Sequence, residues 1–238
     1  CPVYNEEYLL PYTVDFYRSK VGEDNIIFNF YDNGSTDNTV KVAKSLGCNV
    51  GEYETNGEIR DDLLMRFKNS IWKKSLADFV IVVDCDEWVD INPELLVGKT
   101  IQGSVGYNMI GDGTETPNKM TMGIRHTPED KTCVFSPTAI VDINYTAGAH
   151  QCNPIGNVQW ADSAKLYHMK FVSAEYVIQK YDAKNMTELM PLHGKYYKEM
   201  LLRQKKGIDG FMPKFIKLME LGITTVINIT QAHKIYQV

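Results

Sequence analysis

Long hydrophobic runs are absent from this sequence of 238 residues. The longest runs, such as residues 79–83, are far shorter than the roughly 20 apolar residues that cross a bilayer. We therefore predict no transmembrane span and expect a cytoplasmic protein, with peripheral attachment to a membrane as the alternative. The chain begins with Cys1 and Pro2 instead of Met, and we expect further residues upstream of it.

Cysteine and positive charge are also scarce. The five cysteines are an odd number and form no C-x-x-C pair, which argues against a disulfide framework and a structural zinc site. The 25 lysines and arginines are outnumbered by 30 acidic residues, for a net charge of -5. Because nucleic-acid-binding proteins usually present a basic face, this balance argues against such partners. An anionic substrate would have to be held locally, by a metal or a few cations.

The hydrophobic content of 44% is ample for a buried core. Residues 26–31 and 79–83 are apolar runs typical of strands, whereas residues 40–46 and 63–76 carry apolar side chains at helical spacing. An alternation of strands and helices predicts an α/β fold with an open, mostly parallel, twisted sheet flanked by helices. Ligands in such sheets bind at the carboxyl ends of the strands.

An acidic cluster, Asp84-Cys85-Asp86-Glu87, follows the second apolar run directly. In an extended segment, residues two apart point to the same side, so we expect Asp84 and Asp86 to converge. Carboxylates held this close repel one another unless they share a cation. Oxygen ligands favour Mg²⁺ or Mn²⁺, which keep open positions for substrate phosphates. A solvated acidic turn is the structural alternative.

Three motifs in order resemble those of GT-A fold glycosyltransferases of the family 2 type. Residues 2–7 (Pro-Val-Tyr-Asn-Glu-Glu) are similar to the P-x-Y-N-E motif, and residues 31–39 contain Asp-Asn-Gly-Ser-Thr-Asp-Asn-Thr, similar to D-N-G-S-x-D-x-T. Residues 84–87 resemble the DxD motif with a trailing Glu. The resemblance covers about the first 90 residues. It implies a hexosyl or related sugar moved from a nucleoside-diphosphate sugar, with a UDP-sugar favoured over a GDP-sugar, to a glycan, lipid-linked or protein acceptor.

The resemblance also implies roles for single residues. Tyr4 would lie against the nucleotide base, Pro2 would offer backbone groups to it, and Asp32 would accept a hydrogen bond from it. Arg60 would contact the nucleotide or its diphosphate. An ordinary half-buried tyrosine, an Asp that caps a turn and a local ion pair of Arg60 with Asp61 or Asp62 are the structural alternatives for Tyr4, Asp32 and Arg60.

The metal site would use Asp86 and Asp84, with Glu87 as a supporting residue, not a ligand. Related enzymes often add a His or Asp from the second half of the chain to the metal shell. His150 is our preferred third ligand, because glycines flank its approach, and His168 is the alternative. A general base is needed only if the reaction inverts configuration. Asp130 and Asp162 are weak candidates for it.

Beyond residue 160 the apolar spacing becomes helical, over residues 174–185, 193–206 and 212–221. We therefore predict a nucleotide-sugar-binding core with acceptor-side loops over residues 1–160, and a helical C-terminal extension over residues 161–238. A sugar nucleotidyltransferase and a non-catalytic carbohydrate-binding domain are the alternative functions. The former would need a glycine-rich, basic loop after the first strand, which residues 2–7 do not provide.

Overall fold

The computed structural model of the protein describes residues 1–55, 60–111, 113–173, 176 and 226–228. The α-helices within these ranges are α1 (Leu10–Val21), α2 (Thr39–Ser45) and α3 (Asp61–Ser70). The strands are β1 (Pro2–Val3), β2 (Asn29–Asp32), β3 (Asn49–Glu52), β4 (Val80–Ile81), β5 (Glu87–Val89), β6 (Ile101–Ile110), β7 (Met122–Arg125), β8 (Lys131–Phe135), β9 (Ile140–Asp142), β10 (Ile155–Gly156), β11 (Trp160–Phe171) and β12 (Val226–Asn228). The predicted α/β class is confirmed.

A parallel sheet in the order β1-β2-β3 opens the chain. Helix α1 connects the first two strands and α2 connects the last two, as the alternation of strands and helices in the sequence predicts. A proline lies in the first turn of α1. Its missing N–H is tolerated there, because amides of the first turn have no acceptor within the helix. Its buried Leu10, Val14 and Tyr17 recur at helical spacing, so they form one stripe against the sheet.

A second sheet, in the order β12-β7-β6-β11-β5, is mixed. Strands β6 and β11 pair in parallel over most of their length, whereas β5, β7, β8 and β12 pair antiparallel with their neighbours. Strands β9 and β10 form a separate antiparallel pair. The sheet that carries residues 80–171 is therefore less parallel than the apolar runs indicate.

The structure corrects the prediction for the apolar run at residues 79–83. Only Val80–Ile81 form the regular strand β4, which pairs antiparallel with β8 instead of lying inside a parallel sheet. Ile81 and Val83 pack in one core cluster, and Val80 and Val82 pack against another. Both faces of the run are thus buried. Burial on both faces produces a continuous apolar run, as it does in a central strand of a parallel sheet.

The predicted boundary at residue 160 falls at the first residue of β11. Residues 161–171 continue a strand between β6 and β5, where their backbone completes the mixed sheet. The predicted helices at residues 174–185, 193–206 and 212–221 lie outside the described residues, apart from the single residue 176. In the described part of the chain, no helix is long and apolar enough to cross a membrane.

Candidate active site at the acidic turn

The acidic cluster forms a tight turn, not the extended segment that the sequence predicts. The amide of Glu87 donates to the carbonyl of Asp84 at 3.0 Å, which closes the turn before β5. Cys85 is buried in a core cluster that also contains Val3 and Phe30. The Asp84 side chain is 31% exposed and that of Asp86 is 13% exposed. Residues two apart point to the same side only where the backbone is extended, and here it turns. The carboxylates of Asp84 and Asp86 therefore lie in different environments.

Asp84 is held by a buried lysine from helix α3. The Nζ atom of Lys68 lies 2.8 Å from Oδ2 and 2.8 Å from Oδ1 of Asp84, and only 3% of the lysine side chain is exposed. Burial would raise the pKa of Asp84, but the positive charges of Lys68 and Lys131 outweigh it and hold the pKa below its ordinary value. Asp84 is therefore an ionised partner of Lys68.

Glu87 forms a second, fully buried ion pair, with Lys131 at the start of β8. Its other carboxylate oxygen, Oε2, accepts the amide of Asp84 at 3.1 Å. Burial disfavours the charged form of Lys131, yet the neighbouring carboxylates of Glu87 and Asp84 raise its pKa. The trailing Glu thus supports the turn from inside, as its predicted supporting role requires, through contacts that the sequence did not reveal.

Asp86 faces a buried histidine on β11. Its Oδ2 atom lies 3.6 Å from Nε2 of His168, whose Nδ1 atom lies 3.2 Å from Oε1 of Glu129 and 3.0 Å from Oδ1 of Asn108. Burial alone would lower the pKa of His168, but Asp86 and Glu129 outweigh it and raise the pKa to about 9. The imidazole is therefore charged at neutral pH and carries a proton on each ring nitrogen.

The position of Glu129 depends on a glycine in β6. The 3₁₀-helix Thr127–Glu129 lies directly over Gly106, where an added Cβ would come within 2.5 Å of the Glu129 carbonyl oxygen. Asp130 fixes this approach, because its Oδ1 atom accepts the Gly106 amide at 2.8 Å and its Oδ2 atom binds Arg125 at 2.6 Å. Burial would raise the pKa of Glu129, but bonding to His168 and nearby cations lower it to about 2.

The first two motifs are tied to each other beside this turn. The Asn5 amide donates to Oγ of Ser35 at 3.0 Å, and the Thr36 amide donates to Oδ1 of Asn5 at 2.8 Å. The Glu6 amide donates to Oγ1 of Thr39 at 2.7 Å. Because β1 and β2 are parallel neighbours, their carboxyl ends meet, and these bonds join the two loops that follow them.

Helix α1 connects the acidic turn to the first motif. Oγ1 of Thr13 donates to the carbonyl of Cys85 at 2.8 Å and accepts Nε1 of Trp88 at 2.9 Å. Cys85 packs with Val3 and Leu10 in the same core cluster. The three motifs, which are separated by up to 80 residues in the sequence, therefore lie side by side in the fold.

The residues expected to bind a nucleotide are distributed around the first two motifs. Pro2 and Tyr4 lie in and directly after β1, and both are half-buried. Asp32 ends β2 and accepts the Ser35 amide at 3.2 Å with both carboxylate oxygens, so it caps the turn. Arg60 directly precedes α3 and donates to Asp62 at 2.7 Å. The structural alternatives for Asp32 and Arg60 are thus present in the fold, and their nucleotide contacts stay predictions.

The structure does not gather Asp84, Asp86 and His150 around one point. His150 is exposed after the 3₁₀-helix Ala147–Ala149, whereas the alternative, His168, contacts Asp86. Within the residues described, no group of three or more His, Cys, Asp or Glu side chains is placed to hold a metal ion. The carboxylates are neutralised instead by protein cations, so as arranged they do not fit the predicted metal.

Neither candidate base lies at the acidic turn. The side chain of Asp130 accepts the Gly106 amide and pairs with Arg125. Asp162 is exposed near the start of β11, six residues from His168, which corresponds to about 20 Å along a strand. It is Glu129, the neighbour of Asp130, that reaches the site.

Sequence reasoning missed Lys68, Lys131 and Asn108. A signal for Lys68 exists, because it lies four residues after Leu64 and three before Ile71, on the apolar stripe of α3, and it is the one buried residue of that helix. Lys131 and Asn108 lie in strands whose partners are distant in the sequence, so no local pattern indicates them.

No family model and no curated protein matches the chain. Among solved structures, S. aureus TarS has 16% sequence identity over 88% of this chain and 43% of that chain, with a TM-score of 0.45. A complex of S. aureus TarS 1-349 with UDP-GlcNAc has 14% identity over 85% of this chain and 70% of that chain, with a TM-score of 0.41. Glucosyl-3-phosphoglycerate synthase from Mycobacterium tuberculosis, in complex with Mn²⁺, UDP and phosphoglyceric acid, has 18% identity over 63% of this chain and 59% of that chain, with a TM-score of 0.38. The chain thus spans less than half of the first TarS structure, and these similarities are too low to assign an activity.

Proposed function

We propose that this chain is a GT-A type glycosyltransferase that takes its sugar from a nucleoside-diphosphate sugar, with a UDP-sugar as the favoured donor. One observation carries the proposal: three ordered motifs of that type, far apart in the sequence, meet in the fold. The loops after β1 and β2 are joined by backbone-to-side-chain bonds, and the acidic turn packs on them through Cys85. Ligands of parallel sheets bind where such loops meet, beyond the carboxyl ends of the strands.

The donor would lie across these three loops. Tyr4 offers an aromatic face that suits a nucleotide base, and Asp32 offers an acceptor that suits a ring N–H. Pro2 would contribute its backbone, and Arg60 has the geometry to bind a phosphate if it leaves Asp62. The acidic turn would then face the ribose, the diphosphate and the transferred sugar.

Charges at the turn would stabilise the transition state. As the sugar carbon becomes cation-like, the diphosphate that departs gains negative charge. Asp86 and His168 are both largely buried and carry opposite charges, so they bring oriented charge of each sign to the same place. Oriented charges in a site with little water act more strongly than in bulk solvent. Because Asp130 is bonded to Gly106 and Arg125 and Asp162 is exposed near the start of β11, the proposal assigns no general base.

Donor binding is the first test. Thermal unfolding would be measured with UDP-, GDP- and CMP-sugars and with each nucleotide alone, in each case with and without added Mn²⁺. A ligand at about 100 times its dissociation constant stabilises the folded state by about 2.7 kcal/mol, so we expect a clear rise in Tm with a UDP-sugar. The variant Asp86→Asn should lose sugar transfer, whereas Asp142→Asn should not, because Asp142 lies in an exposed ion pair with Lys73.

The same experiment separates the alternatives. Stabilisation by a nucleoside triphosphate together with a sugar phosphate would favour a nucleotidyltransferase. Stabilisation by free oligosaccharides alone would favour a carbohydrate-binding domain without activity. If no nucleotide or sugar nucleotide changes the Tm, the proposed function is wrong.

A further inference from the structure

Lys68 occupies an unusual place for a lysine. It is the one buried residue of α3, and 3% of its side chain is exposed. By helical spacing, Leu64 and the C-cap residue Ile71 lie on the same face as Lys68, and both are apolar. Burying an ammonium group is costly unless it is paired and hydrogen-bonded, so the position requires an anion at the end of the lysine side chain. Asp84 is that anion.

The contact uses both oxygens of the Asp84 carboxylate. Each lies 2.8 Å from Nζ of Lys68. A divalent metal needs the same oxygen lone pairs. A metal bound by Asp84 in this arrangement would also lie within a few ångströms of a like charge that has little access to water to screen it.

The rest of the cluster is balanced in the same way. Glu87 pairs with Lys131, and His168 lies between Asp86 and Glu129. Two of the four carboxylates, those of Asp84 and Glu87, are thus each paired with a lysine, and the other two flank His168. The repulsion that a metal would relieve is already offset by side chains of the protein.

We infer that Lys68 is the resident cation of the acidic turn, a positioning residue that holds Asp84 in place and competes with a divalent metal for it. The inference deepens the proposed function and rests on it in one respect only: donor binding should not require added Mn²⁺ or Mg²⁺. The competition itself can be measured on the protein without any donor.

The first experiment titrates Mn²⁺ into the protein and follows free Mn²⁺ by electron paramagnetic resonance. The wild type should bind Mn²⁺ weakly. Lys68→Met removes the charge at similar side-chain length, and it should bind Mn²⁺ at least about tenfold more tightly, because a like charge is lost and two oxygens are released. Lys68→Arg should behave as the wild type. Lys73→Met, which removes a lysine from an exposed pair with Asp142, is the matched control and should also behave as the wild type.

A purely structural role would change stability without changing Mn²⁺ affinity. Circular dichroism checks that each variant is folded, and Lys68→Gln replaces Lys68→Met if the latter does not fold. Tight binding of Mn²⁺ by the wild type would overturn the inference. Equal, weak binding by the wild type and by a folded Lys68→Met or Lys68→Gln variant would overturn it as well.

The second experiment measures binding of the UDP-sugar by calorimetry, with EDTA and with added Mn²⁺. Equal affinity in both conditions is the expected result. Binding that occurs only with Mn²⁺ would sink the inference and leave the proposed function standing. Absence of binding in both conditions would contradict the proposed function, whereas the Mn²⁺ titration would still decide the role of Lys68.

Discussion

The charge on His168 should make the stability of this protein depend on pH in a specific window. The folded-state pKa of His168 is about 9, against an ordinary value of 6.5. A histidine whose pKa is raised by folding stabilises the folded state fully below the unfolded pKa. That contribution is lost as the pH rises through the folded pKa. The loss should therefore occur between about pH 6.5 and pH 9.

The size of the effect follows from the same two values. A rise from 6.5 to about 9 corresponds to about 3 kcal/mol of differential stabilisation. Burial opposes the charge, so the gain comes from Asp86 and Glu129, which flank the two ring nitrogens. The low pKa of Glu129, about 2, reflects the same pair and is not counted again. At the acid end, this pair should be lost as the pH falls from 4.5 towards 2.

Urea denaturation at a series of pH values measures the effect directly. The contribution of His168 to the free energy of unfolding, measured as the difference between the wild type and His168→Gln, should fall by up to about 3 kcal/mol between pH 6.5 and pH 9. His168→Gln keeps a polar side chain without the titratable ring, and its curve should lack this fall. His126→Gln is the control, because burial lowers the pKa of His126, so any contribution of this residue to stability rises with pH and cannot produce a fall over that window.

Parallel curves for the wild type and His168→Gln between pH 6.5 and pH 9 would refute the reasoning. So would a difference between the wild type and His168→Gln that rises over that range. Either result would mean that His168 is neutral in the folded protein and that Asp86 and Glu129 do not hold its proton.

Three other substitutions test separate parts of the site. Lys131→Met leaves Glu87 buried without its cation, and urea denaturation should show a free energy of unfolding lower by about 3–5 kcal/mol. Adding Glu87→Gln to the same chain should restore most of this loss, and additive effects of the two substitutions would contradict the pairing. Gly106→Ala places a Cβ against the Glu129 backbone and should cost about 1–3 kcal/mol in the same assay, so an unchanged stability would argue against this close approach. Asp162→Asn should leave UDP-sugar binding and sugar transfer unchanged, and lost transfer at normal stability would return Asp162 to consideration as a base.

Local sequence patterns predicted the first part of the fold well. The helical spacing of residues 40–46, most of which form α2, and the turn residues after β2 report on contacts between near neighbours in the chain, so their structure follows from spacing and residue type. The apolar run at residues 79–83 was less informative. Burial on both faces produces the same pattern whether the partner strand is parallel or antiparallel, and here the partner is β8.

The acidic turn shows where a linear sequence stops being informative. The order and residue types of Asp84, Asp86 and Glu87 identified the place, because a concentration of carboxylates after an apolar strand can be read from the sequence alone. The sequence also indicated that such a cluster needs positive charge. It could not indicate which cation supplies that charge.

Only the tertiary structure decided that question. Lys68, Lys131 and His168 come from a helix and two strands that are distant in the sequence, and their pairings depend on how these elements pack. Which charged groups pair depends on their distance and burial in three dimensions. Neither quantity produces a periodic pattern in the sequence. The sequence by itself therefore determined where the charge of the site is concentrated, and the fold determined that the protein neutralises much of it with its own side chains.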